Sequence, residues 1–173
     1  MRLGIVSDTH GLMRPEALEA LTGCERIIHA GDVGKPVVLE ALSRIAPLDV
    51  VRGNIDRGDW MHHLPDHKCI EWHGLRIFLL HDISAFQATA DAAYDLVIAG
   101  HSHRPFWGYV DGIRHLNPGS MGPKRFRLPV TLACIQISAG FVRLQKVVLD
   151  DRGGSVDWGP GCGMWPYEPV SRS

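Results

Sequence analysis

The stretch DLVIAGHSH, residues 95–103, decides the fold of this chain. Its apolar residues 96–99 predict a short buried strand, which Gly100 ends. His101 and His103 follow the glycine one residue apart, and neutral imidazole is a common metal ligand at physiological pH. Because a single histidine at a strand end is more often structural, the metal interpretation depends on whether other strands end in the same way.

Several other predicted strands do end in polar side chains. Apolar runs predict strands over residues 2–6, 26–30 and 48–51, and they run directly into SDTHG, GD and GNID. Helices are predicted between them, one opening at Pro15 and one over residues 35–46. This β-α-β-α-β order predicts a parallel sheet with right-handed crossovers.

The second half of the chain has the pattern of hairpins. Paired apolar runs flank His73-Gly74, Asp111-Gly112 and Ala139-Gly140, which are turn formers. A short helix is predicted over residues 84–93. The simplest architecture is an α/β fold in which two packed β-sheets are flanked by helices.

Composition indicates one domain and narrows the function classes. The chain has 173 residues, of which 45% are hydrophobic and 21% charged, as in an ordinary globular protein. A net charge of −1 provides no field that would draw the whole molecule onto nucleic acid or an anionic membrane. No apolar run approaches the roughly 18 residues of a membrane span. The four cysteines are widely spaced without a CxxC pair, so reduced thiols and a cytoplasmic protein are expected.

We expect a domain over residues 1–149 followed by a tail over residues 150–173. The tail is rich in glycine and proline, yet it contains Trp158, Trp165 and Tyr167. A loosely docked terminus is the simplest interpretation. Packing of the two tryptophans on the domain or on another subunit is the alternative.

Seven side chains with oxygen or nitrogen donors follow predicted strands at their carboxyl ends, where ligands bind in α/β sheets. They are Asp8, His10, Asp32, Asn54, His81, His101 and His103. Carboxylate, amide and imidazole donors without thiolate suit manganese, iron, zinc or cobalt. Seven donors are too many for one tetrahedral ion and suit two ions that share a bridging carboxylate.

The ordered motifs DTH, GDV, GNID, HD and GHSH resemble those of the calcineurin-like metallophosphoesterases, over residues 3 to about 149. The NPGS loop at residues 117–120 is similar to that of the small bacterial and archaeal phosphodiesterases of this family. The resemblance implies a four-layer α/β/β/α sandwich. It also implies two divalent ions, expected to be manganese with iron, zinc, nickel or cobalt as alternatives, and hydrolysis of phosphate diesters by a metal-activated hydroxide.

The family pattern also implies a role for each ligand. The first ion would take Asp8, His10, Asp32 and His103. The second would take Asp32, Asn54, His81 and His101, with Asp32 bridging. Gly31, Gly53 and Gly100 would let the backbone turn sharply or approach the ions closely.

Substrate contacts are implied for Asn117, Gly119, Ser120 and Arg125, since the NPGS loop would border the substrate pocket. A plain turn at residues 117–120, and a surface role for Lys124 and Arg125, are the alternatives. The substrate is expected to be a small-molecule phosphate diester, with no membrane association and no nucleic acid partner. A homo-oligomer is left open.

Two positions depart from the family pattern. Ile55 stands where many members have a histidine that protonates the leaving group, so no catalytic residue is expected beyond the metal ligands. Asp82 stands where glycine usually follows the metal-binding histidine, and it would either order His81 or narrow the pocket. His29 is expected to be a hydrogen-bonded core residue.

The sequence is compatible with other functions. A phosphomonoesterase has the same ligands, and a non-catalytic interaction scaffold can have the same fold. The scaffold is disfavoured because none of the seven ligands is missing. A nuclease is disfavoured because the charge balance does not suggest a basic groove.

Overall fold

The computed structural model describes residues 1–88, 93–125, 127–149, 154–156 and 163–166. Two α-helices connect the first three strands, and both begin with a proline in the first turn. They are α1 (Pro15–Leu21) and α2 (Pro36–Ser43).

The first sheet is formed by seven strands of the described part: β1 (Arg2–Val6), β2 (Arg26–His29), β3 (Leu48–Val50), β9 (Thr131–Ser138), β10 (Phe141–Val148), β11 (Gly154–Val156) and β12 (Met164–Pro166). The sheet is mixed, with strand order β11-β10-β9-β1-β2-β3 and β12 also paired with β10. Strands β1, β2 and β3 are parallel, as the sequence predicts, whereas β9 joins β1 antiparallel.

The second sheet is formed by β4 (His67–Trp72), β5 (Leu75–Leu80), β6 (Leu96–Ile98), β7 (Phe106–Val110) and β8 (Ile113–Asn117). Its strand order is β4-β5-β6-β8-β7. The central strand β6 pairs parallel with β5 and β8, and the predicted hairpins β4-β5 and β7-β8 lie on either side of it.

The main core lies between the two sheets. Ile5 and Ile28 of the first sheet pack in one cluster with Ile77 and Ile98 of the second, and all are fully buried. A second cluster joins the outer face of the first sheet to the helices through residues such as Leu21 and Leu42, which belong to α1 and α2. These layers confirm the predicted α/β sandwich.

The helix predicted over residues 84–93 is wrong for the part that the structure describes. That part contains one 3-10 turn, Ile83–Ala85, capped by the Asp82 side chain, which accepts from the backbone N–H of Ser84 at 2.9 Å. Phe86 then leaves the turn and packs on Phe78 of β5, with ring centroids 5.4 Å apart. Burial of this ring ends the turn after three residues. Residues 89–92 lie outside the described part.

Part of the tail packs on the domain. Strands β11 and β12 pair antiparallel with β10, and the side chain of Trp165 is buried. Its ring stacks on Trp107 at 5.1 Å, and the guanidinium of Arg114 lies 4.9 Å from the ring centroid. Trp158 and Tyr167 lie outside the described residues.

Within the described ranges, no helix is both long enough and apolar enough to cross a membrane.

Candidate metal centre

Four of the predicted ligands form one tight group. Asp8, His10, Asp32 and His103 each offer a donor atom, and these atoms all lie within 4.8 Å of one another. Nε2 of His10 lies 3.3 Å from Nε2 of His103, which is also 3.3 Å from Oδ1 of Asp8. The turns after β1, β2 and β6 thus bring together the four residues that the sequence assigns to the first ion.

The remaining ligands form a second group beside the first. Oδ1 of Asn54 lies 3.0 Å from Nε2 of His81 and 3.0 Å from Nδ1 of His101. Asp32 links the two groups: its Oδ1 lies 3.3 Å from Nε2 of His81, and its Oδ2 lies 3.8 Å from Nε2 of His10. One carboxylate therefore faces both groups.

Five of the seven side chains sit on a left-handed backbone, which is uncommon for residues other than glycine. Outside the site, the described non-glycine residues with positive φ are His73, Asp111 and Ala139, all at hairpin turns. Strain of this kind clusters at functional sites. The five residues are Asp8 (φ 55°), His10 (φ 47°), Asp32 (φ 56°), His101 (φ 67°) and His103 (φ 58°).

Two glycines permit the close approach of the metal-binding turns. A Cβ at Gly53 would overlap the backbone nitrogen and Oδ1 of Asp32, and a Cβ at Gly100 would overlap Oγ of Ser7. Both turns therefore require the absence of a side chain, as the sequence predicts for these glycines.

Burial dominates the electrostatics of the first group. Desolvation raises the pKa of Asp8 to about 6, although Oδ2 accepts hydrogen bonds from Oγ of Ser7 (2.6 Å) and from the backbone N–H of His101 (3.2 Å). Burial and the positive charge of Arg125 lower the pKa of His103 to about 4 and also lower the pKa of His10. Both imidazoles are therefore neutral at pH 7, which is the form that binds a metal.

Asp32 remains ionised. Burial alone would raise the pKa of its carboxyl, but the hydrogen bond to His81 and the backbone N–H of Ile55, at 3.0 Å from Oδ1, outweigh burial and lower the pKa. The same interaction raises the pKa of His81, even though burial opposes protonation. The carboxylate that faces both groups is thus charged at neutral pH.

The donor set fits a divalent cation. Oδ1 of Asp8 is buried and finds no hydrogen-bond donor in the described part of the chain. Beside this oxygen, Nε2 of His10 and Nε2 of His103 lie 3.3 Å apart. Buried acceptors normally have a donor or a cation as partner, and Oδ1 of Asp8 has no donor within the described residues. Oxygen and nitrogen donors are the ligands of a catalytic ion rather than of a structural thiolate site.

The NPGS loop is tied to the metal-binding turns. Nδ2 of Asn117 donates to the carbonyl oxygen of Gly100 at 2.6 Å, and Oδ1 of Asn117 accepts from the N–H of Gly119 at 2.9 Å. Oγ of Ser120 donates to the carbonyl oxygen of Asp8 at 2.9 Å. These groups brace the turns, and their contact with substrate stays a prediction.

Arg125 reaches the centre itself. Its Nη2 lies 3.3 Å from Nε2 of His10. The guanidinium is therefore placed where an anion held at the first group would meet it, and substrate binding by Arg125 likewise stays a prediction.

Ile55 and two polar residues, Asp56 and His29, make contacts within the protein. The side chain of Ile55 is 38% exposed and its N–H serves Asp32. Both oxygens of the buried Asp56 accept backbone N–H bonds, from Gly34 and from Gly53, each at 2.8 Å. His29 is fully buried with Nε2 2.9 Å from Oγ1 of Thr9, which confirms it as a hydrogen-bonded core residue.

Asp82 faces a different histidine from the one that the sequence suggests. Its Oδ2 lies 3.9 Å from Nε2 of His101, the ring nitrogen that Asn54 does not contact. The sequence could not reveal this, since Asp82 is adjacent to His81 in the chain. The bracing role of Ser7 also went unpredicted, because a serine before the aspartate carries no distinctive signal.

This fold and this site define a metallophosphoesterase. The family model of the calcineurin-like phosphoesterase superfamily domain matches residues 1–140, and the chain belongs to that superfamily. A probable metallophosphoesterase of Methanothermobacter thermautotrophicus is 35% identical, with 69% of this chain and 77% of the relative covered. A phosphodiesterase of Methanocaldococcus jannaschii is 27% identical, with 69% of this chain and 83% of the relative covered.

Solved structures show the same fold. Vps29 of Entamoeba histolytica, in complex with Zn²⁺, superimposes with a TM-score of 0.71 at 21% identity, covering 92% of this chain and 100% of that one. YfcE, a phosphoesterase from E. coli, gives a TM-score of 0.67 at 24% identity, with the same coverage.

Proposed function

We propose that the protein is a two-metal phosphodiesterase. The observation that carries the proposal is the position of Asp32, whose two carboxylate oxygens face His10 and His81 in the two ligand groups. Divalent ions held by these groups would activate water and neutralise charge on the phosphoryl oxygens. Manganese is the proposed ion and the cytoplasm the proposed location.

The chain's own residues would bind and orient the phosphoryl group. Arg125 would pair with a phosphoryl oxygen, because its guanidinium stands beside His10 and a guanidinium matches phosphate geometry. Asp82 would hold the imidazole of His101 through the nitrogen that faces away from Asn54. Solvent would protonate the departing oxygen. Ile55 has no acidic group, both oxygens of Asp56 accept backbone N–H bonds, and His29 is hydrogen-bonded in the core.

Two grooves beside the centre support a diester rather than a monoester. One, of about 400 Å³, is lined by residues that include Asn54 and His81. The other, of about 500 Å³, is lined by residues that include Ser102, which lies between His101 and His103. The described residues that line one groove do not line the other. A phosphodiester has two alcohol groups, so each groove could receive one of them.

The test is hydrolysis by chelator-treated protein reconstituted with Mn²⁺. We expect bis(p-nitrophenyl) phosphate to be cleaved with a higher kcat/KM than p-nitrophenyl phosphate, and we expect EDTA to abolish both reactions. A preference for the monoester would favour a phosphomonoesterase. Manganese-loaded protein that cleaves neither ester would favour a non-catalytic scaffold, a role that the fold alone does not exclude.

A further inference from the structure

The groove beside the GHSH stretch has a composition that the phosphoryl chemistry does not explain. Its walls include Ser102, Phe106 and Tyr109. Ser102 is joined to the NPGS loop, because Nδ2 of Asn117 lies 3.1 Å from Oγ of Ser102. The groove is therefore continuous with the turn that presents His101 and His103.

An exposed aromatic ring is held in place in this groove. Phe106 is 44% exposed, and its ring lies over Gly108, where an added Cβ would stand 2.6 Å from Cζ of the ring. The ring of His115, which pairs with Gly108 across the β7-β8 ladder, lies 5.0 Å from it. Phe106 thus forms a flat platform whose position depends on the missing side chain at Gly108. Tyr109, another residue that lines the groove, is 68% exposed.

The charge of the groove favours an uncharged ring attached to an anion. Among the described residues that line it, Arg104 is the only one with a formal charge at pH 7, and no carboxylate is present. His115 is neutral, because burial lowers its pKa to about 4. Nε2 of His115 is buried and has no hydrogen-bond partner among the described residues. Buried polar atoms normally have such a partner.

We propose that this groove binds a planar aromatic group esterified to the phosphate at the metal centre, either a nucleobase-bearing alcohol or a simple aryl alcohol. The proposal rests on the proposed function for the position of the phosphate. Stacking on aromatic side chains tolerates any planar ring, since each ring presents a π-face. The Phe106 ring would lie against the ligand ring, and Arg104 would add a positive charge at the edge of the groove.

Calorimetry on Mn²⁺-loaded protein tests the proposal with ligand pairs that differ in the ring. AMP is compared with ribose 5-phosphate, and phenyl phosphate with methyl phosphate. We expect the aromatic member of at least one pair to bind about tenfold more tightly, and which pair responds identifies the kind of ring. Phe106→Ala should remove this preference and leave the affinities for ribose 5-phosphate and methyl phosphate unchanged. Gly108→Ala should do the same by displacing the ring.

The control is Phe141→Ala, which removes a ring of similar exposure on β10 and should leave the preference intact. Equal affinities within both pairs, no binding of the aromatic ligands, or the same loss in the control would overturn the inference. Failure of the proposed function is a separate outcome: ring preference without diester hydrolysis removes the enzyme and keeps the groove as a binding site. Diester hydrolysis without a ring preference keeps the enzyme and removes the groove as a binding site for aromatic groups.

Discussion

Oδ2 of Asp82 lies 3.9 Å from Nε2 of His101, while the other ring nitrogen of this histidine lies 3.0 Å from Oδ1 of Asn54. A carboxylate on the far nitrogen fixes the tautomer and orientation of a ligating imidazole. The hydrogen bond from the backbone N–H of Ser84 lowers the pKa of Asp82 most strongly, and the charge of His101 also contributes, so the carboxylate is charged at pH 7. Asp82 therefore lies beside the second ligand group without being one of its ligands, and its support of His101 is a prediction.

Asp82→Asn should weaken metal binding at the second group. The amide oxygen can still accept from Ser84 and cap the 3-10 turn, so the change removes the charge and keeps the local fold. Because Asp82 is partly exposed and 3.9 Å away, we expect a loss near the lower end of such effects, about tenfold in affinity for the Mn²⁺ at the second group. Titration calorimetry measures it. Glu71→Gln, an exposed change on β4, is the control, and equal affinities in all three proteins would remove this role from Asp82.

Asp8 predicts an unusual pH dependence in the metal-free protein. Its folded-state pKa of about 6 lies above the ordinary value of 3.8, so the folded protein keeps a proton that the unfolded chain releases. The resulting stability is complete below about pH 4 and is lost as the pH rises through 6. Asp8→Asn carries no such group and should be more stable than the parent at pH 7.5 in EDTA, by about 1–3 kcal/mol.

Thermal melting between pH 4.5 and 7.5 checks this expectation, with the exposed Asp59→Asn as control. Adding Mn²⁺ should reverse the order, because the folded parent binds an ion at the first group that Asp8→Asn no longer holds there. If Asp8→Asn is less stable than the parent in EDTA at pH 7.5, the buried carboxylate of Asp8 does not destabilise the metal-free protein and the prediction is wrong.

The fold was predictable because it depends on patterns that local sequence expresses well. Apolar runs ending in polar turns gave β1, β2, β3 and β6, and the turn formers at Asp111-Gly112 gave the β7-β8 hairpin. The helix prediction was wrong for residues 84–88 because helical spacing does not reveal that Phe86 packs onto Phe78. Tertiary packing decides such short segments, and propensity alone cannot.

The site was predictable as a set of residues, but its geometry was not. Strand ends place Asp8 and Asp32 at one sheet edge, and only the fold shows that Asp32 faces both groups. The left-handed backbone at His101 and His103 has no clear sequence signal, since histidine tolerates this region better than most residues without requiring it. The contact of Asp82 with His101 joins separate loops and is likewise invisible to spacing.

Ile55 predicts a strong dependence on the leaving group. An aliphatic side chain cannot protonate a departing oxygen, and general acid catalysis typically contributes about 10²–10⁴-fold. Aryl diesters, whose leaving oxygen carries charge well, should therefore be cleaved far faster than alkyl diesters. Ile55→His should help the alkyl substrates selectively, because the backbone N–H that serves Asp32 is retained.

The measurement is kcat/KM for paired aryl and alkyl diesters in both proteins, with Ile55→Leu as the matched control. Equal rates on both diesters in the parent, with chemistry limiting, would mean that another residue donates the proton. Asp56 and His29 are poor candidates, since Asp56 accepts two backbone bonds and His29 is in the core.

Trp165 predicts that the tail contributes to stability. Its buried ring stacks on Trp107 under the guanidinium of Arg114, so Trp165→Ala should cost about 3 kcal/mol. Met164→Ala, at a neighbouring exposed position, should change the melting temperature little. Truncation after residue 150 should destabilise at least as much as Trp165→Ala. An unchanged melting temperature and elution volume in the truncated protein would show that the tail is merely appended.

Metal content measured together with turnover tests the central claim most directly. Chelator-treated protein is titrated with Mn²⁺, freed of excess ion and assayed for bound metal by elemental analysis and for hydrolysis of bis(p-nitrophenyl) phosphate. We expect two ions per chain in the parent, one in His10→Ala or Asn54→Ala, and fewer than one in Asp32→Ala, with activity requiring the second ion. A parent that holds a single ion, unaffected by Asn54→Ala or His81→Ala, and is fully active with it would contradict the two-metal account.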